Sequence, residues 1–348
     1  MSEYKPLEIF TKTKLSEEQM ANIRVKRKNH MYLYNYSDAV IVPRNDPVIV
    51  KCRGLVLDEG GMVLNYPFER FFNPHEKEAP ILNWDTGIVL EKLDGSLICA
   101  FWNGGDWEVT TRGSFYPNEI AEVDFAEKFK DLFKEFDKLD KTCCYMFEMV
   151  SAMNRIVTWY DDEFVALIGI RDLQTHHEYN PDLVAKNAEA LGVRSPKMYY
   201  VKDLDACKKL FESLRDDEEG FVAIDGNLNR IKVKQDTYLA MAKIKMLKED
   251  DLLDYVRGRI EVDGELLQKD VNVMQRVNEI KAEWESIKNF IDCIFNELNH
   301  LETRKEFALA ALKFPFNKFL FTMLDGKTTR DMKLSYGELV TWCKELPK

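Results

Sequence analysis

Short segments with the composition of β-strands fill residues 31–238, and glycine-containing turns separate them. Residues 62–66 and 97–102, for example, are alternating or apolar runs of the length expected for buried strands. The turns Asp58-Glu59-Gly60-Gly61 and Asn103-Gly104-Gly105 suit tight hairpins. A further strand is predicted over residues 155–160. We therefore expect antiparallel sheets in this part of the chain.

The pattern changes after Tyr238. Three later segments carry apolar residues at helical spacing, with few glycines and no strand-like alternation: residues 239–257, 271–301 and 307–324. An amphipathic helix is also predicted over residues 121–139, where its phenylalanines cover the preceding sheet. The sequence therefore predicts an α+β protein with an antiparallel-sheet domain over residues 1–243 and an all-helical C-terminal domain over residues 244–348.

Composition narrows the class of protein. The chain has 348 residues, enough for two domains, and no apolar run long enough to cross a membrane. Its seven cysteines contain no CxxC pair and its five histidines show no metal-ligand spacing. We expect a cytoplasmic protein with free thiols and no zinc site. The net charge of −11 counts only weakly against nucleic acid, since a local basic groove is sufficient for binding.

One lysine stands between two predicted strands. The hexapeptide Glu91-Lys92-Leu93-Asp94-Gly95-Ser96 connects the apolar residues 87–90 to residues 97–102. A lysine buried there would have a lowered pKa, and the neutral amine would be available for nucleophilic attack. A solvated lysine beside an Asp-Gly turn explains the hexapeptide alone equally well.

Charged residues recur within later predicted strands. Glu148 and Glu219 lie beside apolar strand residues. Lys232 and Lys234 share one face of the strand 230–234, because side chains two residues apart point the same way. Like charges on one face repel each other unless an anion lies between them. A phosphate group would be such an anion, and a solvent-facing edge that resists aggregation is the alternative.

The order of these residues resembles the nucleotidyltransferase motifs of covalent ATP-dependent ligases: Lys92-Leu93-Asp94-Gly95, Glu148, Glu219-Gly220 and Lys232-Val233-Lys234. The flanking text resembles the bacteriophage T4 RNA ligase 1 family over residues 34–238: Cys52-Arg53-Gly54, Glu69-Arg70-Phe71-Phe72-Asn73, Asn154-Arg155-Ile156-Val157 and residues 232–238. Arg70 and Arg112 stand where this family has lysine, which replaces a point charge with a planar fork.

The resemblance implies an adenylation domain that uses ATP with Mg²⁺, or Mn²⁺ in its place. Lys92 would attack the α-phosphorus of ATP, and Lys232 and Lys234 would complete the catalytic set and bind the nucleotide. The other implied nucleotide-binding residues are Tyr34, Arg53, Arg70, Phe72, Glu91, Arg112, Glu148 and Glu219. The candidate metal carboxylates are Glu148, Glu219 and Asp263.

The resemblance also implies a substrate. AMP would pass from the lysine to an RNA 5′-phosphate, and an RNA 3′-hydroxyl would displace it. A cleaved tRNA is the expected substrate, prepared by a polynucleotide kinase-phosphatase in the cytoplasm of a phage-infected host. We expect the helical domain to select the RNA, and helices that only buttress the core are the alternative. DNA ligases and RNA-capping guanylyltransferases share the lysine motif, but they normally continue into a β-rich OB domain. A catalytically inactive relative that binds RNA ends is the other alternative.

Overall fold

The computed structural model describes residues 2–37, 39, 41–115, 125–152, 155–328 and 332–345. Spatial contacts divide the chain into two compact units, Met1–Leu239 and Ala240–Lys348. Among the described residues, no helix combines the length and apolar character needed to cross a membrane.

The first unit begins with two short helices and a four-stranded sheet. The helices are α1 (Lys5–Thr11) and α2 (Glu17–Ala21). The strands are β1 (Ile23–Lys28), β2 (Met31–Tyr36), β3 (Arg53–Asp58) and β4 (Val63–Asn65), and they lie in that order. Leu7, Tyr34 and Leu55 form part of a core cluster in this region.

Two further four-stranded sheets complete the unit, in the orders β10-β5-β11-β12 and β7-β6-β8-β9. Their strands are β5 (Ile88–Glu91), β6 (Ser96–Trp102), β7 (Trp107–Thr111), β8 (Cys143–Val150), β9 (Phe164–Asp172), β10 (Met198–Tyr199), β11 (Gly220–Ile224) and β12 (Arg230–Lys234). Every pairing between these strands is antiparallel, as predicted. β5 belongs to one sheet and β6 to the other, so residues 92–95 carry the chain between the two sheets.

Three helices pack among these strands: α3 (Phe125–Leu132), α4 (Pro181–Ala190) and α5 (Leu204–Lys209). The helix predicted over 121–139 is shorter than expected. Residues 121–124 lie outside the described residues, and the chain after Leu132 makes only a 3₁₀ turn at Phe136–Lys138. Phe129 and Phe133 contact Phe147 of β8, so these side chains are core residues, as predicted.

The described residues of the second unit form helices and no strand. α6 (Asp236–Lys245) crosses the boundary, and the rest are α7 (Glu249–Val256), α8 (Gly264–Lys269), α9 (Val271–Leu298), α10 (Arg304–Ala311), α11 (Asn317–Leu324) and α12 (Tyr336–Glu345). The segment predicted as one helix over 307–324 is two helices. Pro315 lies in the break, where a residue without a backbone N–H cannot continue a helix.

Candidate active site

The link between β5 and β6 holds Lys92 by its backbone. Lys92 N donates to the carbonyl oxygen of Gly220 at 2.9 Å, and Gly95 N donates to Glu148 Oε1 at 3.1 Å. A Cβ atom at Gly95 would lie 2.4 Å from the carbonyl oxygen of Met149, so only glycine fits. The link is therefore fastened to β11 on one side and to β8 on the other.

A single carboxylate bridges two lysines at this link. Lys92 Nζ lies 2.6 Å from Glu219 Oε2, and Lys234 Nζ lies 2.5 Å from Glu219 Oε1. The two lysine side chains are 23% and 24% exposed, whereas Glu219 is 4% exposed. We call Lys92, Glu219 and Lys234 the lysine cluster. Gly220 has a φ of +126°, a conformation that favours glycine, and it fixes Glu219 at the start of β11.

The protonation of Lys92 differs from the expectation. Burial disfavours the ammonium, as predicted, but the negative charges of Glu219, Glu148 and Asp94 outweigh burial. The pKa of Lys92 is consequently raised above its ordinary value. The predicted lowering of this pKa is therefore wrong, and Lys92 is an ammonium at neutral pH.

Glu148 lies on β8 opposite Leu97 of β6. Burial raises the pKa of Glu148 to about 7, and the charge of Glu219 acts in the same direction. Lys92 and Arg53 oppose this shift without cancelling it. Glu148 can therefore gain or lose a proton near neutral pH, which is a property of groups at catalytic sites more often than of structural carboxylates.

Lys232 is the other lysine of β12. Its backbone N donates to the carbonyl oxygen of Phe72 at 3.0 Å. Burial lowers the pKa of Lys232 to about 8, and the positive charges of Lys234, Lys92 and Arg53 add to this effect. Within the part of the chain that the structure describes, its ammonium makes no hydrogen bond or ion pair, so this cation is available to an anionic ligand.

A cavity of about 90 Å³ adjoins Lys92. Its apolar lining is Phe68, Phe71, Leu90, Leu93, Leu97, Ile168, Val222 and Ile224. Arg53, Glu91, Glu148 and Arg230 contribute polar groups to the same wall. An apolar cavity with a few polar groups, such as this one beside Lys92, has the character of a site for a flat aromatic ring such as a nucleobase.

Two predicted nucleoside contacts lie elsewhere. Tyr34 is fully buried in the core of the first sheet, where its hydroxyl donates to the carbonyl oxygen of Glu3 at 2.7 Å. The Phe72 ring lies 5.5 Å from the guanidinium of Arg44 and outside the cavity lining, whereas its neighbour Phe71 is part of that lining. Tyr34 is thus a core residue, and the aromatic ring of this segment that lines the cavity is that of Phe71. The predicted nucleoside contact by Phe72 or an equivalent aromatic stays a prediction.

The remaining predicted residues are placed as follows. The guanidiniums of Arg70 and Arg112 lie 4.2 Å and 5.6 Å from the ring centroid of Tyr36. Asp263 belongs to the second unit, where its carboxylate accepts from Glu265 N and Leu266 N and caps α8. Asn154 of the family-like flank lies outside the described residues. The predicted metal role of Asp263 stays a prediction.

Sequence reasoning missed the network around Asp94. Its Oδ2 accepts from the backbone N–H groups of Val157 and Thr158, each at 2.8 Å, and its Oδ1 accepts from the hydroxyl of Tyr238 at 2.8 Å. Because these bonds hold residues 155–160 as a loop, the strand predicted there is wrong. An acidic residue two positions after the lysine was the only sequence signal for this anchor.

A second bridging carboxylate was also missed. Glu178 binds Arg171 at 2.8 Å and also binds Arg230, and the Arg230 guanidinium lies 4.4 Å from the ring centroid of Phe68 in the cavity wall. We call Arg171, Glu178 and Arg230 the arginine cluster. The sequence gives no sign that these three residues are in contact. Glu178 follows a polar loop, where an acidic residue is usually exposed to solvent.

No protein-family model matches the chain. An RNA ligase of Rhodothermus phage RM378 is 26% identical over 401 residues, which cover 92% of this chain and 90% of the phage protein. A bifunctional polynucleotide kinase/RNA ligase of Autographa californica nuclear polyhedrosis virus is 31% identical over 253 residues, 63% of this chain and 35% of the viral protein. A solved archaeal ATP-dependent RNA ligase aligns with a TM-score of 0.45 at 12% identity, covering 88% of this chain and 93% of that chain.

Proposed function

We propose that this protein is an ATP-dependent RNA ligase of the T4 RNA ligase 1 family, in which Lys92 becomes covalently linked to AMP. The observation that carries the proposal is the lysine cluster beside an apolar cavity of nucleobase character. The similarity to proteins named RNA ligase, which extends over nearly the whole phage protein, supports RNA as the substrate class.

In the first step, Lys92 Nζ attacks the α-phosphorus of ATP. Because Lys92 Nζ is an ammonium, it first transfers one proton to Glu219, and the neutral amine then attacks. As the N–P bond forms, the P–O bond to pyrophosphate breaks, and the second proton of the amine leaves with the departing pyrophosphate. Glu219 Oε2 lies 2.6 Å from Nζ, within the distance of a direct proton transfer. Lys232 and Lys234 would neutralise the charge that develops on the phosphates. The nucleobase would enter the cavity against Phe71.

Two transfers follow at the same phosphates. An oxygen of the RNA 5′-phosphate attacks the AMP phosphorus, the N–P bond breaks, and Lys92 is regenerated. The RNA 3′-hydroxyl then attacks the 5′-phosphate, a phosphodiester forms, and AMP leaves. We assign Arg53 to phosphate binding because it lines the cavity beside Lys92 and Glu148.

The site's carboxylates fit a divalent ion that arrives with ATP. No group of three or more potential ligand side chains in the described residues could hold a metal ion by itself. Mg²⁺, however, is commonly held by one or two carboxylates together with water and substrate phosphates, and Glu148 and Glu219 can supply these. We propose Mg²⁺, with Mn²⁺ as a substitute, and a bound ion would supply positive charge to the phosphates.

The test is covalent labelling. Wild-type protein incubated with α-labelled ATP and Mg²⁺ should retain AMP through denaturing electrophoresis, and Lys92→Ala should not. A label that survives in Lys92→Ala would contradict the proposal. Labelling from GTP in preference to ATP would point to capping chemistry, and preferential joining of 5′-phosphorylated DNA over RNA would point to a DNA ligase.

The natural substrate we propose is a tRNA cleaved in its anticodon loop. The baculovirus relative is named as a combined polynucleotide kinase and RNA ligase, which supports pairing with an enzyme that prepares RNA ends. We assign RNA selection to the helical unit, Ala240–Lys348. Joining of a nicked tRNA should then be faster than joining of a single-stranded RNA of equal length, and equal rates would count against this substrate.

A further inference from the structure

The loop formed by residues 155–160 is fastened to the nucleophile's own turn. Val157 N and Thr158 N both donate to Asp94 Oδ2 at 2.8 Å, and Asp94 follows Lys92 by two residues. The hydroxyl of Tyr160 also accepts from Asp94 N at 3.0 Å. One side of this loop therefore has a fixed position relative to Lys92. We call residues 155–160 the tryptophan loop.

Its other side is fastened to the segment that leads into Glu219. Trp159 N donates to Asp217 Oδ2 at 2.7 Å, and Thr158 Oγ1 donates to the carbonyl oxygen of Asp217 at 2.7 Å. Arg215 Nη2 donates to the carbonyl oxygen of Trp159 at 2.7 Å. The backbone of Trp159 is thus held between the two segments that present Lys92 and Glu219.

The side chain of Trp159 nevertheless faces solvent. It is 59% exposed, and the neighbouring Ile156 is 41% exposed. The Arg155 guanidinium lies 4.8 Å from the centroid of the Trp159 ring. A rigid, exposed aromatic ring beside an arginine is the arrangement on which proteins stack unpaired nucleobases, because stacking on the ring and on the guanidinium does not require a particular base.

The acidic residues around the tryptophan loop repel an RNA phosphate less strongly than their number in the sequence suggests. Residues 161–163 and 216–218 are acidic. Three of these carboxylates are in ion pairs: Asp162 with Arg194, Glu163 with Lys128, and Asp217 with Arg215. Paired carboxylates repel a phosphate less than free ones do.

We propose that Trp159, with Arg155, stacks an unpaired nucleobase next to the RNA end that reacts at Lys92. This inference rests on the proposed ligase function and adds to it a contact for the RNA. The ring's backbone anchors on the Lys92 and Glu219 segments would hold the stacked base at a constant position relative to the reacting phosphate.

The experiment compares Trp159→Ala and Trp159→Phe in three assays: self-adenylylation with ATP, joining of 5′-phosphorylated RNA, and quenching of tryptophan fluorescence by RNA with unreactive ends. Losing one base–aromatic stack should slow joining by Trp159→Ala about tenfold at subsaturating RNA. Trp159→Phe should retain most of the activity, because a phenyl ring still stacks. Both variants should adenylylate like wild type, and RNA should quench wild type more than Trp159→Phe.

Trp102→Ala is the matched control. Trp102 also carries a cation on its ring, Lys141 at 3.7 Å, but it lies at the far end of β6, about 20 Å from Ser96 for a strand of this length. Joining by Trp102→Ala should match wild type once both variants are shown to unfold at the wild-type temperature.

Several results would overturn the inference. Wild-type joining by Trp159→Ala, or an equal loss in Trp102→Ala, would show that this ring does not bind RNA. Slower self-adenylylation by Trp159→Ala would also overturn it, since that step involves no RNA and the loop would then be acting through Asp94. A wild-type protein that takes up no AMP while RNA still quenches Trp159 would instead refute the ligase proposal and support the RNA contact.

Discussion

The lysine cluster and the arginine cluster share one plan, a buried carboxylate between two cations, but they differ in access to solvent. The lysines of the first are 23% and 24% exposed, and Glu219 is 4% exposed. In the second, Arg171 and Arg230 are 10% and 9% exposed, and Glu178 is 6% exposed. The cations of the first cluster are the more exposed, so a ligand can more readily replace their carboxylate partner.

The cation type separates the clusters further. A lysine can lose its proton and become a nucleophile, whereas an arginine stays charged and binds through a planar fork. Arg171 uses that fork on Glu178 and on the carbonyl oxygen of His176 at 3.0 Å. Arg230 holds Glu178 and lies over Phe68, a wall of the cavity. Arg230 also lines the cavity itself, so both clusters contribute a cation to it, and of the two cation types the lysine is the one that can serve as a nucleophile.

The largest expected effect comes from exchanging the cation type. Lys92→Arg keeps a positive charge facing Glu219 but removes the nucleophile, so AMP labelling should fall at least about a thousandfold. Arg230→Lys is the reciprocal exchange in the other cluster and should keep labelling within about tenfold of wild type, because it keeps a positive charge at the cavity and leaves Lys92 in place. Comparable labelling by Lys92→Arg and Arg230→Lys would remove the distinction between the clusters.

The second effect concerns stability. Glu178→Gln leaves two buried guanidiniums without a counter-charge and should lower the free energy of unfolding by about 3–5 kcal/mol. Glu219→Gln should lower it less, about 1–2 kcal/mol, because the two lysine side chains reach solvent. Urea denaturation of both variants measures the difference. A larger loss in Glu219→Gln would mean that the lysine cluster is the structural one.

The sequence predicted the fold correctly where the local spacing of apolar residues determines the secondary structure. β12 was predicted over 230–234 and has those bounds, because its alternation is regular. The α+β class and the helical C-terminal part are also confirmed. Residues 155–160 look like a strand but form a loop, because Asp94 and Asp217 take backbone N–H groups that a sheet would need. Such side chain to backbone bonds come from distant residues and leave no local pattern.

The sequence indicated which residue types the candidate site contains, but it did not indicate which of them are in contact. The pair Lys232 and Lys234 was interpreted as holding an anion, and in the structure the anion at Lys234 is the protein's own Glu219. Glu219 and Lys92 are 127 residues apart in sequence. The raised pKa of Lys92 depends on this contact, so its direction could not be predicted from burial alone.

Glu148, next to the lysine cluster, is expected to change its charge near neutral pH. Because burial raises the pKa of Glu148 to about 7, the folded state holds this proton more tightly than the unfolded state does. The contribution of Glu148 to wild-type stability should therefore fall as pH rises from about 4.5 to about 7. Glu148→Gln lacks this titration, so its stability relative to wild type should increase by about 1–3 kcal/mol between pH 5 and pH 8. Urea denaturation at both values measures it, and a pH-independent difference would contradict the assignment.

The smallest effect separates the two lysines of β12. Burial, followed by the charges of Lys234 and Lys92, lowers the pKa of Lys232 to about 8, so most of its charge is lost by pH 9. Binding of a non-hydrolysable ATP analogue should then weaken between pH 7 and pH 9 by at most about tenfold. Lys232→Arg should bind with little dependence on pH over this range, because its guanidinium stays charged. Lys234→Arg is the matched control and should keep the wild-type dependence, since Lys234 is already held by Glu219. Calorimetric titration at each pH gives the affinities. If the pH dependence of binding disappears in Lys234→Arg but persists in Lys232→Arg, the titrating cation is Lys234 of the lysine cluster and not Lys232.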